Sequence, residues 1–201
     1  MATIPPSELV ALLIATSFAA GLNVYATLVT LGLLAHSGLL PLPPALHLVS
    51  NWYVIAASGV MFGIEFFADK IPAFDLLWNA LHTFIRIPIA ALLAYGATAS
   101  LSPGEQLAAT VVGGAIALAA HGGKTAVRAA VTPSPEPFSN ITLSLGEDGL
   151  AIFLTWFSTQ HPYATIAIVG VLLVIIIVLA RWVVRSLRKL FRGAEHELAK
   201  P

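Results

Sequence analysis

The sequence predicts an all-α fold, a polytopic helical membrane protein with about six transmembrane helices. Three observations carry that prediction. Hydrophobic residues make up 58% of the chain and charged residues 10%, where soluble domains carry about 25% charged residues. Mean hydropathy is +0.88. No residue between Glu8 and Glu65 is formally charged, and no Lys or Arg precedes Lys70. A spanning helix needs roughly 20 apolar residues, a length this chain supplies repeatedly, whereas the alternating pattern of a membrane barrel is absent.

Six segments follow in order: Leu9 to Leu34, Trp52 to Asp69, Leu76 to Ala99, Gln106 to Val131, Thr142 to Thr159 and Tyr163 to Val184. Proline and glycine mark the gaps, at Pro41, Pro43 and Pro44, at Pro103-Gly104, from Pro133 to Pro137, and at Pro162. An even count places both termini on one side. Arg181, Arg185, Arg188, Lys189 and Arg192 mark that side as cytoplasmic, and Lys70, Lys124 and Arg128 fall at the same ends, so the expected location is a bacterial inner membrane. Residues 1–190 read as one transmembrane domain, with 9–99 and 105–184 as its halves, and 185–201 as a basic juxtamembrane tail facing lipid headgroups. The N-terminus lacks a basic n-region and its apolar run is too long for a signal peptide, so it is expected to be retained.

Charge inside such a chain is the best guide to function. Arg86 lies about eleven residues into an apolar stretch and shares a helical stripe with Asp75, Asn79 and His82, at steps of four, three and four. A guanidinium at that depth needs partners or water, which makes it a functional-site hypothesis. Similar stripes recur on neighbouring segments: Thr16, Asn23, Thr27 and Thr30; Asn51, Ser58, Glu65 and Asp69; Thr110, His121, Thr125 and Arg128 with Lys124 on the flank; Ser144, Asp148, Thr155 and Thr159, with Glu147 beside them. The sixth segment is uniformly apolar from Ala164 to Ala180. Five helices are therefore expected around a polar interior, with the sixth outside. Counting rise per residue puts the charged groups in the inner half, with Arg86 near the midplane, as a cytoplasm-facing vestibule under a drier outer half. The candidate ligand- or ion-binding residues are Asn23, Glu65, Asp69, Asp75, Asn79, His82, Arg86, His121, Lys124, Arg128, Glu147 and Asp148.

Plainer readings stand beside these. The carboxylates and cations can neutralise one another as fixed pairs, and the histidines can be members of a polar network. No metal site, cofactor or catalytic residue is assigned, because no metalloprotease helix, nucleophile elbow or thiol is present. Gly123-Lys124-Thr125 ends like a phosphate loop, but Leu118 stands where that motif needs glycine. Gly59 and Gly63 suit close helix packing or a homodimer face. Asn140-Ile141-Thr142 fits a glycosylation sequon on the wrong side of the membrane. Zero formal net charge speaks against a nucleic-acid partner. Gly21-Leu22-Asn23 and His121-Gly122-Gly123-Lys124, each followed by a proline loop and then an acidic helix, form a short echo between the halves. A 3+3 inverted repeat of the kind found in transporters is one explanation, and chance is the other.

His121-Gly122-Gly123-Lys124, Arg128, Pro137-Phe138-Ser139-Asn140 and Gly146-Glu147-Asp148, together with Gly21-Leu22-Asn23 and Glu65 to Pro72, resemble a bacterial membrane-protein family known as domain of unknown function 4126. The resemblance runs from about Leu9 to Ala180 and implies a small multi-pass inner-membrane protein without an assigned activity. Three classes of function remain. A small-solute or ion transporter or channel leads, with Arg86 and Lys124 or Arg128 holding an anionic group while Glu65 and Asp148 couple to protons or cations. A structural or lipid-interacting protein with permanently paired charges follows. An intramembrane enzyme acting on lipid comes third.

Overall fold

A computed structural model describes residues 5–131 and 137–198. Among the described residues all regular structure is helical: α1 (Pro6–Leu22), α2 (Val24–His36), a 3₁₀ helix (Pro44–Ser50), α3 (Trp52–Ala68), α4 (Pro72–Ala97), α5 (Pro103–Val131), α6 (Pro137–Gln160) and α7 (Pro162–Leu198). The predicted loop from Pro133 to Glu136 lies outside them, as do the side chains of Asp75, Asn140, Arg188, Lys189 and Arg192. Among the described residues, three stretches have the length and apolarity to cross a membrane: Leu77–Ala97, Pro103–Arg128 and Pro162–Trp182. The 3₁₀ helix and α3 pass the same test as a pair bent by 58°.

The ends of these helices follow from their residues. Prolines occupy the first turn of α1 and α4, where a missing N–H costs nothing. The Asn51 side chain caps α3 by accepting from the Tyr53 N–H at 2.9 Å. Ser102 and Glu105 form a reciprocal cap on α5: the Ser102 hydroxyl and N–H donate to Glu105 Oε2 at 2.6 and 3.1 Å. Pro88 sits inside α4 and removes the backbone bond to the Phe84 carbonyl two residues before Arg86.

The first predicted span is corrected. It breaks at Asn23, whose extended backbone (φ −148°, ψ 104°) separates two helices of 17 and 13 residues, each too short to cross roughly 30 Å of hydrocarbon alone. The two do not continue in one direction. Leu12 of α1 belongs to the same apolar cluster as Leu31 and Leu34 of α2, Leu40, Leu46, Leu93 and Ala97, and Glu8 and Leu12 line a small cavity with Leu39, Leu40 and Pro41. The far ends of α1 and α2 therefore lie together, and the pair is a helical hairpin with Asn23 at its tip. The first of the six expected segments is therefore two short helices and not one unbroken span.

Small residues let the hairpin in. A Cβ on Gly21 would collide with the Ala117 carbonyl oxygen of α5 and come within 2.8 Å of Ala120. One on Gly113 would lie 2.9 Å from Ser17 Oγ, and one on Gly32 2.7 Å from the Val49 carbonyl oxygen. Gly63, by contrast, has nothing within 4 Å and Gly59 only Val29 Cγ2 at 4.0 Å, so this spacing makes no close approach inside the chain. The corresponding helix of the second half, α5, runs unbroken through His121 to Lys124, so the halves differ where the echo matched them. α7 packs outside, with only 11% of its apolar window buried.

Gly21→Val is expected to lower the thermal midpoint, since overpacking costs about 1–3 kcal/mol. Gly122→Ala, at a site with open space around it, is expected to leave it level or slightly higher. Equal melting of the two variants in detergent would remove the close α1–α5 contact.

Candidate functional site

The tip of the hairpin meets a buried ionic cluster. α3 supplies Glu65 and Asp69, four residues apart and thus on one face; α4 supplies Asn79, His82 and Arg86; α5 supplies His121, Lys124 and Arg128; α6 supplies Glu147 and Asp148. Glu65, Asp69, Arg86 and Arg128 are 0% exposed. Glu147 stands at the edge, its side chain 12% exposed.

Arg86 is held from three helices. Its terminal nitrogens donate to Glu65 Oε1 at 2.6 Å, to Asn79 Oδ1 at 2.9 Å and to His121 Nδ1 at 3.0 Å. Lys124 donates to Asp69 Oδ2 at 3.1 Å, lies 3.2 Å from Glu147 Oε2 and 3.8 Å from Glu65 Oε1, and reaches the Leu22 carbonyl at 3.1 Å. That last contact places an ammonium on the negative end of α1. Arg128 donates to Asp69 Oδ2 at 2.9 Å and to the Asp69 carbonyl at 3.1 Å, and its Nε and terminal nitrogen grip Glu147. Asp69 and Glu147 are each shared by Lys124 and Arg128, so the pairs form one network across α3, α5 and α6.

Asn23 joins the hairpin to that network. Its Oδ1 accepts from the N–H groups of Tyr25 and Ala26 at 3.1 and 2.9 Å, capping α2, while its Nδ2 donates to Asp148 Oδ1 at 2.8 Å. The two ends of the amide thus do different work: one starts a helix and the other holds a buried carboxylate.

Hydrogen-bond grammar fixes one histidine and orients the other. A guanidinium can only donate, so His121 Nδ1 accepts from Arg86; Thr83 gives its hydroxyl hydrogen to the Asn79 carbonyl, so His121 Nε2–H donates to Thr83 Oγ1 at 2.7 Å. A carbonyl can only accept, so His82 Nδ1–H donates to Trp78 O at 2.8 Å, and Nε2 shares a hydrogen bond with the Tyr25 hydroxyl at 3.1 Å. The His121 ring is neutral in this arrangement.

The structure therefore brings together Asn23, Glu65, Asp69, Asn79, His82, Arg86, His121, Lys124, Arg128, Glu147 and Asp148, while the Asp75 side chain lies outside the described residues. The vestibule is corrected in one respect: its charged lining is closed and internally paired, with Glu147 as its partly exposed edge. The hydroxyls expected to line the outer half turn back on their own helices, Thr16 to Leu12 O, Thr27 to Asn23 O, Thr110 to Gln106 O and Thr155 to Ala151 O, and Asn51 caps α3 from an exposed position. Tyr25 and Thr83 were missed; a signal for Tyr25 was its place two residues after Asn23.

A family model described as a domain of unknown function (DUF4126) matches residues 10–182. The chain belongs to the DUF4126 family. No curated protein and no solved structure matches it. In this DUF4126 protein the motif residues Asn23, Glu65, Asp69, His121, Lys124, Arg128, Glu147 and Asp148 converge on one buried cluster.

Asp69→Asn is expected to destabilise the fold more than Glu147→Gln. Asp69 is fully buried between Lys124 and Arg128, and breaking a buried pair costs about 3–5 kcal/mol, whereas Glu147 borders solvent. Thermal melts of the two variants in one detergent check the order, and a reversed order removes Asp69 from the centre of the network.

Proposed function

We propose that this DUF4126 protein is a bacterial inner-membrane transporter or channel for a small solute or ion, and that it is not an enzyme. In this reading α3 to α7 cross the bilayer and the α1–α2 hairpin enters from the outer face without crossing it. The observation that carries it is the meeting of two half-helices, broken at Asn23, with a buried ionic cluster. Interrupted helices whose ends face a polar site at membrane depth are the usual construction of secondary transporters, and irregular backbone at that depth survives only where protein or a water-lined cavity receives it. Lys70, Arg181 and Arg185 lie at the ends away from the hairpin's mouth, which supports a cytoplasmic location for that side in this reading.

The geometry shifts the substrate class. The sequence pointed to an anion on Arg86 with Lys124 or Arg128. All three cations already have carboxylate partners. Among the described residues, the unpartnered buried atoms in and beside the cluster are three carboxylate oxygens, Glu65 Oε2, Asp69 Oδ1 and Asp148 Oδ2, with Arg86 Nε, Trp78 Nε1 and the Ser144 hydroxyl as donors. Three uncommitted carboxylate oxygens beside cations that are already paired suit a cation or a hydrogen-bond donor better than an anion.

The saturation of the cations also supports a second reading, a structural or lipid-interacting protein whose charges are permanently paired. A thermal-shift screen of the full chain in detergent separates the two, using sodium, potassium, chloride, phosphate and acetate against wild type and the Arg86→Leu/Glu65→Leu double variant. A transported ion is expected to stabilise wild type by about 2.7 kcal/mol at a hundredfold excess over Kd, and to lose that effect in a double variant that still folds. No response in wild type, with full stability and phenotype in the double variant, leaves the structural reading standing.

The hairpin has its own test. The chain contains no cysteine, so single cysteines at Glu8 and Arg185 report without background. A membrane-impermeant maleimide is expected to label position 8 from outside intact spheroplasts and position 185 only after lysis. Labelling of both from one side contradicts the hairpin.

A further inference from the structure

Four carboxylates share the cluster, Glu65, Asp69, Glu147 and Asp148, against three cations, Arg86, Lys124 and Arg128, among the described residues. His121 does not supply the fourth positive charge, because accepting from Arg86 requires a neutral ring, and His82 bonds to the Trp78 carbonyl and the Tyr25 hydroxyl, not to a carboxylate. Lys70 interacts with Asp148 through space but forms no salt bridge with it among the described residues; its ammonium donates to the Phe66 carbonyl at 2.7 Å and lies 3.0 Å over the Phe66 ring. Glu65 is committed to Arg86, and Asp69 and Glu147 to Lys124 and Arg128. Asp148 differs: the hydrogen bond it accepts comes from a neutral amide, Asn23 Nδ2, its Oδ2 has no partner among the described residues, and it is 4% exposed. An isolated ionised carboxylate in such surroundings is costly, and binding a proton is the ordinary relief.

We propose that Asp148 is the proton-binding group of this protein, and that its protonation controls the tip of the α1–α2 hairpin through Asn23. The inference rests on the transport reading for its use but not for its existence. In the step, the Asp148 carboxylate takes one proton and becomes a carboxylic acid, and no other bond changes. The neutral acid accepts more weakly from Asn23 Nδ2 than the carboxylate does. Since the same amide caps α2 through Oδ1, loading the proton loosens the contact that ties the hairpin tip to α6. The charged groups facing Asp148 are Glu65 and Asp69 from α3, Lys70 just after that helix, and Lys124 from α5. Its own helix adds Glu147, and Ser144 one turn earlier, whose buried hydroxyl is also unpartnered. Asp148 is thus surrounded by charges of both signs without a salt bridge of its own among the described residues.

Infrared difference spectra of the reconstituted full chain between low and high pH test this. Wild type is expected to show the carbonyl stretch of a buried carboxylic acid that disappears as pH rises, shifts on labelling with carboxyl-¹³C aspartate, and is lost in Asp148→Asn but kept in Glu147→Gln. The labelling separates aspartate from glutamate without mutation, and a labelled band that persists in Asp69→Asn and in Asp75→Asn then belongs to Asp148 even where Asp148→Asn folds poorly. A band that ignores aspartate labelling, a band that persists in Asp148→Asn, or no acid band together with stabilisation by sodium, overturns the proposal. Vesicles loaded with a pH dye read proton flux separately. An Asp148 band without flux keeps the proton site and removes the transport reading. Flux without the band does the reverse.

Discussion

Asn23 holds the structure's central constraint because both halves of its side-chain amide are spoken for. Oδ1 replaces backbone acceptors that the Tyr25 and Ala26 N–H groups lack at the start of α2, and Nδ2 satisfies Asp148. A cap of this kind contributes about 1 kcal/mol in ordinary helices, and in a low-dielectric interior the cost of leaving those donors unpaired is larger. Without the break at Asn23, α1 and α2 would form one rod of spanning length. Its far end could not return to Leu40, Leu93 and Ala97, which Leu12 now meets in one apolar cluster. The Leu22 carbonyl, freed by the same break, receives Lys124, so both sides of the interruption are closed by side chains of the cluster.

The ionic network follows from that placement. Three buried cations are tolerable only when paired, and the residue spacing supplies the pairs: Glu65 and Asp69 face inward at one helical turn, and His121, Lys124 and Arg128 rise through two turns of α5. Sharing Asp69 and Glu147 between Lys124 and Arg128 spreads two negative charges over two positive ones, so no single pair can be removed without stranding a charge. Buried pairs of this sort are weak evidence of added stability, since well-packed apolar residues often do as well or better. Their presence, with three carboxylate oxygens left unpartnered, is easier to reconcile with a cluster that exchanges partners than with one that only packs.

Much of this was legible in the residues. The Arg86 stripe, the Glu65 and Asp69 face and the α5 ladder are period-3.6 patterns of rare polar residues in an apolar chain, the strongest local signal a membrane sequence offers. The hairpin was not. Neither helix around Asn23 contains a proline near the break, and the apolar run from Leu9 to Leu34 reads as one span by length alone. What bends it is tertiary: Gly21 pressed against Ala117, Lys124 on Leu22 O, and Asp148 on Asn23. The one local hint, an asparagine two residues after a glycine, suits a helix start and is too common to decide. Tyr25 and Thr83 escaped for a related reason, since each acts by orienting a histidine contributed by another helix.

The mismatch between carboxylates and cations gives the hairpin a physical handle. Chains that pack charges only for structure have no need of an odd carboxylate, because an unmatched buried charge costs more than the pairs recover. Here the odd one sits against the one side chain that ends α1, starts α2 and reaches α6. A change of a single proton at that point alters one hydrogen bond, and that bond is the polar link between the hairpin tip and α6. Around it small residues allow a close approach, Gly21 on Ala117, while Phe18 and Leu22 pack with Ala120 and Leu154 in one buried cluster, so the position of the tip depends on that bond as well as on packing. The arrangement puts the most weakly satisfied carboxylate where α1, α2 and α6 meet, beside the paired Arg86, Lys124 and Arg128.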